Sequence, residues 1–300
     1  MTHDLRRHEP DPGPFGTCVP NRPSLGQLIR ETSRALMQCS ASPRLDAELL
    51  LAAAVGGGRE LIYAHSERVP PPAQRARFDQ LVQRRRQGEP VAYLLGVKEF
   101  WSLTLAVGPG VLVPRPETEL LVERALDRAP TARTRVLDLG TGSGAIALAL
   151  ASERPAWEIT ATDLDEGALR FAGHNTDRLG AAGVTLKRGD WFKAVAGEQF
   201  ELVVCNPPYV QARDPHLDSL RHEPREALVS GADGLLDIRR ILDDAPAHLA
   251  AGAWLLLEHG ATQGAAARAL FTARGFSDVQ TREDPGGRDR VTEGRWPGIV

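Results

Sequence analysis

At 300 residues, with 42% apolar and 25% charged side chains and a formal net charge of −3, the chain has the make-up of a globular protein large enough for two domains. That charge argues against a protein whose main work is gripping nucleic acid, while leaving room for a local basic face, and no apolar run is long enough to span a bilayer. Cys18, Cys39 and Cys205 lie far apart without a Cys-x-x-Cys pair, which argues against a disulfide framework or a zinc site and fits a reducing cytoplasm.

Residues 1–22, with Pro10, Pro12, Pro14 and Pro20 and no periodic apolar face, are expected to form a disordered tail. Residues 23–87 read as a helical bundle. Leu25, Leu28, Ile29 and Leu36 recur at helical spacing, Ser42-Pro43 resembles a helix start, and Leu45, Leu49, Leu50 and Ala53 continue the stripe to Gly56-Gly57-Gly58. Pro70-Pro71-Pro72 precedes a helix through Phe78, Leu81 and Val82 that closes at Arg84-Arg85-Arg86. Its arginines, with Arg75 and Arg77, give the bundle a basic side that could dock on an acidic protein or RNA, though a solvated helix end favoured by the helix dipole is the preferred reading; residues 23–87 are expected to serve as a substrate-docking bundle.

Residues 88–113 carry Val91, Tyr93, Phe100, Trp101, Leu103, Leu105, Val107, Leu112 and Val113 in short runs broken by glycines, and read as a β-hairpin linker. Pro114 to Glu119 then opens a helix through Leu120, Leu121, Val122 and Leu126, with Pro116 and Glu117 in its first turn. From residue 114 to 300 strands and helices alternate. Strands are expected at Arg135–Leu139, Glu158–Thr162, Val184–Arg188, Leu202–Asn206 and Ala253–Leu257. Helices are expected at 145–154, 165–179, 235–249 and 262–274, with a closing antiparallel pair around 279–282 and 290–293. Such alternation implies an α/β doubly wound sheet with its ligand at the carboxyl ends of the strands, near the switch in strand order.

Three strand ends carry chemistry. Asp138-Leu139-Gly140-Thr141-Gly142-Ser143-Gly144 is a glycine turn that lets backbone approach a ligand closely, yet it lacks the Gly-Lys-Ser/Thr of a phosphate loop. Asp163, at the second strand end, suits ribose hydroxyls, and Asp190-Trp191, at the third, offers an acceptor and an indole face for adenine. With Asp138, these acids favour a cationic nucleoside ligand such as S-adenosylmethionine. At the fourth strand end, Asn206-Pro207-Pro208-Tyr209 is a stiff exit, since proline cannot donate to a ladder and holds the preceding residue extended. It fixes where the Asn206 amide, the Pro207 carbonyl and the Tyr209 ring point. Cys205 reads as a small core residue and His259 as a structural hydrogen-bonding group. The insert around His222 to Leu228 reads as one wall of a peptide site, with Arg225 a candidate contact.

In this order and spacing these motifs resemble a seven-stranded, Rossmann-like class I methyltransferase of the amino-methylating kind. Gly88 to Tyr93, Gly96 to Trp101, Val113 to Glu119, Leu257-Glu258-His259-Gly260 and Asp289-Arg290-Val291-Thr292 resemble the peptide chain release factor glutamine methyltransferases, over a likeness running from about Ser24 to Arg295. The resemblance implies methyl transfer from S-adenosylmethionine to the side-chain amide nitrogen of the glutamine in the Gly-Gly-Gln motif of bacterial release factors, with Asn206, Pro207, Pro208, Tyr209, Arg115 and Glu117 around the substrate. It implies no metal, no stable nucleic-acid partner and no membrane. Ribosomal-protein glutamine methylation and, further off, adenine-N6 methylation of DNA are the alternatives, because the tetrapeptide's hydrogen-bond logic serves all three.

Overall fold

The computed structural model describes residues 22–129 and 132–298, so the expected tail, apart from Arg22, lies outside them. The chain divides into two compact units between Gln83 and Arg84. Among the described residues no helix is long and apolar enough to cross a membrane.

The first unit is helical. Helix α1 (Leu25–Leu36) starts at a capping box in which Ser24 and Gln27 exchange hydrogen bonds between side chain and backbone, and it buries Leu25, Leu28, Ile29 and Leu36. Helix α2 (Pro43–Val55) has Pro43 in its first turn and ends at Gly56 with φ +76°. The Ser42 hydroxyl donates to the Asp46 carboxylate rather than capping the backbone. Leu50 and Leu51 form the buried stripe, whereas Leu45, expected in it, is 40% exposed. A short helix, α3 (Arg59–Ala64), was not foreseen. The buried Glu48 carboxylate holds it by accepting from Arg59 and Tyr63 while also taking Arg44. Helix α4 (Pro72–Arg86) buries Phe78 and Leu81.

The second unit opens with helix α5 (Val91–Leu95), where a strand was expected; Pro90 precedes it and Gly96, at φ +73°, ends it. Five residues are too few for periodicity to separate a helical turn from a strand. Strands β1 (Val97–Phe100) and β2 (Leu103–Ala106) then form an antiparallel hairpin. Its two-residue turn, Trp101 and Ser102, has φ 51° and 57°, unusual without glycine. The Trp101 N–H and indole N–H donate to Glu119 and Glu153, both at 2.9 Å, which holds that turn.

Helix α6 (Glu119–Arg128) follows a single 3-10 turn at Pro116–Thr118. The remainder is β3 (Arg135–Leu139), α7 (Ala145–Glu153), β4 (Glu158–Asp163), α8 (Glu166–Leu179), β5 (Val184–Arg188), β6 (Phe200–Cys205), α9 (Leu236–Asp244), β7 (Leu249–Glu258), α10 (Gly264–Ala273), β8 (Ser277–Glu283) and β9 (Asp289–Arg295). The expected fourth strand ends one residue early, at Cys205, leaving Asn206 just beyond the ladder. Helix α9 is shorter than expected because Pro246 turns the chain into a 3-10 turn at Ala245–Ala247, and β7 is correspondingly longer.

The seven strands lie in the order β5-β4-β3-β6-β7-β9-β8. The first five pair in parallel and β9 runs antiparallel to both its neighbours. Alternate residues feed the two faces: Val136, Val204 and Leu256 pack with Leu121, Val122, Ile146 and Leu150, while Leu137, Val203, Cys205, Leu255 and Leu257 pack with Ile238, Ile241 and Phe271. Cys205 is thus core, and burial holds its thiol well above its usual range. Strand order reverses between β3 and β6, where Leu139 pairs with Cys205. The residues that follow them, Gly140 and Asn206, therefore emerge side by side.

Asn175, fully buried on α8, ties the hairpin to the glycine turn. Its Oδ1 accepts from the Ala106 N–H at 2.7 Å, and its Nδ2 donates to the carbonyls of Ala106 and Ser143 at 3.0 and 2.9 Å. Asn175→Ala strands these groups and is expected to cost about 1–3 kcal/mol, read as a lower denaturant midpoint with an unchanged slope.

Candidate active site

A cleft at the carboxyl ends of β3 and β6 is lined by Leu112, Pro114, Arg115, Thr118, the turn from Gly140 to Ser143, Ala145, Ile146 and Asn206. The turn forms because β3 must reverse into α7 within five residues. Gly140 and Gly142 both take positive φ, +71° and +57°. A Cβ on Gly140 would stand 3.4 Å from the Trp191 ring, whereas at Gly142 only the backbone angle calls for glycine. Gly144, at φ +85°, starts α7.

Asp138 does not face the cleft. It is fully buried beneath the turn, where its Oδ2 accepts from the Thr141 hydroxyl at 2.6 Å and the Ala147 N–H at 3.3 Å. Burial pushes its carboxyl up to about 7, and Oδ1 has no partner. Asp163 braces the same turn: its Oδ2 accepts the Gly142 N–H and its Oδ1 the Asp165 N–H, both at 2.9 Å. Each oxygen keeps a lone pair for a ligand hydroxyl. Leu164, the next residue, is 63% exposed and offers an apolar surface at that strand end.

Trp191 lies against the turn, but Asp190 is already engaged. Lys193 and Arg240 both donate to it, at 2.8 and 2.9 Å, and hold its carboxyl below the usual range. The expectation of an uncommitted negative charge there is corrected, because α9 supplies a guanidinium that the strand-end sequence does not reveal. Of the three acids, Asp163 is the one whose geometry suits ribose hydroxyls directly.

On the β6 side, the Asn206 Nδ2 donates to Thr118 Oγ1 at 3.2 Å. Pro207 is buried. The Tyr209 and Val210 N–H groups both donate to the Leu228 carbonyl, and the Tyr209 carbonyl accepts from Gln263 at 3.1 Å, so the exit is pinned from two sides. The Tyr209 hydroxyl donates to Glu258 Oε1 at 3.2 Å, and burial, then the Glu258 charge, raise its pKa.

The two expected substrate contacts before α6 part company. Arg115 borders the cleft, and its guanidinium pairs with the buried Glu223, which also accepts the Val113 N–H at 2.9 Å. Glu117 is exposed on the 3-10 turn. In the insert, Arg225 donates to the Ala212 carbonyl within the same segment, and Glu223 is the anchor. His259 is fully buried between Thr292 Oγ1 and the Gly260 carbonyl, and burial lowers its pKa, in line with a structural role.

Three residues escaped the sequence reading as working groups: Thr118, Glu223 and Glu258. A signal existed for Glu258, a charge closing the otherwise apolar run Trp254 to Leu257. The cradle fits a nucleoside: backbone open to close approach at Gly142, the Trp191 ring beside Gly140, and acceptor oxygens on Asp163 that suit ribose hydroxyls.

Residues 27–96 match the PrmC N-terminal domain and residues 116–257 the methyltransferase small domain. Release factor glutamine methyltransferases of Salmonella typhimurium and Pseudomonas aeruginosa are 51% and 54% identical to this chain. Each match spans 259 residues, 86% of this chain and 94% of the relative. The enzyme of that name from Escherichia coli is 49% identical over 87% of this chain and 95% of its own length. Among solved structures, a methyltransferase from Pyrococcus furiosus aligns with TM-score 0.51 and 21% identity over 66% of this chain and 90% of its own. A 16S rRNA N2 G1207 methyltransferase from Thermus thermophilus, solved with AdoMet and guanosine, aligns with TM-score 0.51 and 20% identity over 67% of this chain and 49% of its own. At those identities the structures speak for the fold. With about half the aligned residues shared across nearly the whole of its curated relatives, the chain belongs to the release factor glutamine methyltransferase family.

Proposed function

We propose that this protein transfers a methyl group from S-adenosylmethionine to the side-chain amide nitrogen of the glutamine in the Gly-Gly-Gln motif of release factors, in the cytoplasm. The observation that carries the reading is the emergence of the glycine turn and Asn206 side by side from adjacent parallel strands. That arrangement faces a nucleoside-type methyl donor with an amide-binding group.

Bound S-adenosylmethionine supplies an electrophilic methyl carried on a sulfonium. The chain's own residues do the rest. Gly140 to Ser143 present backbone, Asp163 accepts from the ribose hydroxyls, and Trp191 offers its face to the base. A glutamine amide nitrogen is a poor nucleophile because its lone pair is delocalised into the carbonyl. Asn206 commits its Nδ2 to Thr118, which leaves Oδ1 to accept one substrate N–H. The Pro207 carbonyl accepts the other. Two acceptors hold the nitrogen and turn its lone pair towards the methyl group, so the catalysis is mainly orientation, worth on the order of 7–11 kcal/mol in favourable systems. Tyr209, its hydroxyl tethered to Glu258, would pack against one face of the planar amide. With the cofactor bound, the nitrogen would take the methyl carbon as the carbon–sulfur bond breaks, the sulfur keeping the electron pair and leaving as a neutral thioether, and the extra proton on nitrogen would then pass to water without a prior base.

Incubation with methyl-labelled S-adenosylmethionine and, separately, a release factor, ribosomal proteins and duplex DNA tests the assignment. Label enters the release factor at a rate at least about tenfold above the other two, a difference of about 1.4 kcal/mol. Preferential labelling of ribosomal protein or of DNA adenine would overturn it.

A further inference from the structure

Pro207 and Pro208 have no N–H to give, so the strut that runs from Asn206 to Tyr209 is aimed by whatever holds its far end. Tyr209 is that end. Its N–H donates to the Leu228 carbonyl at 3.1 Å, its hydroxyl to Glu258 Oε1 at 3.2 Å, and its carbonyl accepts from Gln263 Nε2 at 3.1 Å. Of these three partners Gln263 has the widest reach.

Gln263 is 9% exposed and stands just before α10, in the N-cap position. That position favours a short side chain that accepts from the first turn of the helix, yet the Gln263 side chain makes no such bond. It turns instead to the loops at the strand ends. Its Oε1 accepts the Gly260 N–H at 2.8 Å, just beyond the end of β7, and Nε2 also donates to the Asp233 carbonyl at 3.3 Å, in the segment before α9. One amide therefore joins the exits of β6 and β7 to the end of the insert.

The orientation of that amide is forced. Two carbonyls call for its NH2 group and one N–H for its oxygen, so a turned amide would set oxygen against two carbonyls. The insert is shaped to the same bond: Gly234 has φ +76°, and a Cβ there would overlap both the Tyr209 carbonyl oxygen and Gln263 Nε2. Glycine lets the chain close over this contact.

We propose that Gln263 is a positioning residue for methyl transfer: by gripping the Tyr209 carbonyl it sets the aim of the Pro207 carbonyl, and so the spacing of the two acceptors that hold the substrate nitrogen. This deepens the reading of Asn206 and Pro207 as those acceptors, and rests on it. Gln263 acts through the strut and not on the substrate itself.

Two substitutions in the intact protein test the role. Gln263→Met keeps the length of the side chain and gives up all three bonds. Gln263→Ser gives them up as well but returns a capping side chain to α10, which guards the fold. In both, kcat for transfer to release factor falls roughly 10- to 100-fold, the cost of misplacing a reacting group by up to about 1 Å. Cofactor Kd stays within about twofold, since two carboxylate hydrogen bonds in the cradle, from Gly142 and Asp165, are untouched. Amide hydrogen exchange, which needs no substrate, shows Tyr209 and Val210 losing protection by about tenfold or more while the amides of β3 and β6 keep theirs.

A double substitution separates aim from packing. In the Asn206→Ala background Gln263→Met costs less than about threefold, because one acceptor alone does not hold the nitrogen and its aim ceases to matter. A merely structural loss would multiply in full. Gln263→Ser with kcat within about twofold of the parent, unchanged protection at Tyr209, or a fully multiplied loss in the Asn206→Ala background each overturns the proposal. If protection falls as described while the parent methylates no release factor, the substrate reading fails and the hold of Gln263 on Tyr209 stands.

Discussion

Asn206→Ala loses methyl transfer by at least the order of 100- to 1000-fold, the size seen when one preorganised hydrogen-bonding group is taken from a reacting centre. S-adenosylmethionine binding stays within a few-fold. The loss is expected on kcat because Asn206 sits at the β6 side of the cleft, where in the proposed mechanism its Oδ1 accepts the substrate N–H, while the proposed ligand cradle belongs to β3 and β4. Calorimetry of cofactor binding and single-turnover transfer separate the two quantities. Near-normal turnover would remove Asn206 from the chemistry, and a parallel collapse of cofactor affinity would make it a part of the cradle instead.

Asp163→Ala has the opposite signature. The carboxylate holds Gly142 and Asp165 N–H groups and keeps a lone pair on each oxygen for the ribose. Hydrogen bonds to a charged acceptor contribute about 1.5–3 kcal/mol each, so cofactor affinity falls on the order of 10- to 100-fold or more. At saturating cofactor kcat is expected to recover to within a few-fold, since the proposed role of Asp163 is to hold the ribose and not the reacting atoms. A fall in kcat that saturation does not repair would mean that the turn itself has collapsed, visible as lost protection of the Gly142 amide in hydrogen exchange.

The pair of signatures reflects what local sequence could and could not disclose. Strands β3, β4 and β5 were legible because each is a short extended run stopped by glycine or aspartate at the carboxyl end, and the stiffness of Pro207-Pro208 marked where β6 must stop. The adjacency of β3 and β6 was not local information: parallel neighbours are chosen by packing and crossover handedness, and the order reverses between them. Helices α3 and α5, six and five residues long, are too short to carry a period.

Side-chain partnerships were the harder part. Thr118 meets Asn206 across 88 positions of sequence, and Glu223 meets Arg115 across 108. Asp190 looked like an open acceptor until Arg240, 50 positions on, was seen to hold it. Buried acids were visible as residues yet not as environments. Asp138 and Glu258 both lose their water, and both rise to about 7, though one underpins the glycine turn and the other accepts from Tyr209.

The most direct measurement is peptide mass spectrometry of a release factor after incubation with this protein and methyl-labelled S-adenosylmethionine. One labelled methyl group on the side-chain nitrogen of the Gly-Gly-Gln glutamine, absent when Asn206→Ala replaces the parent, is the result that the geometry of β3, β6 and Asn206 predicts. Label on any other residue, or equal label on that glutamine with Asn206→Ala, would contradict it.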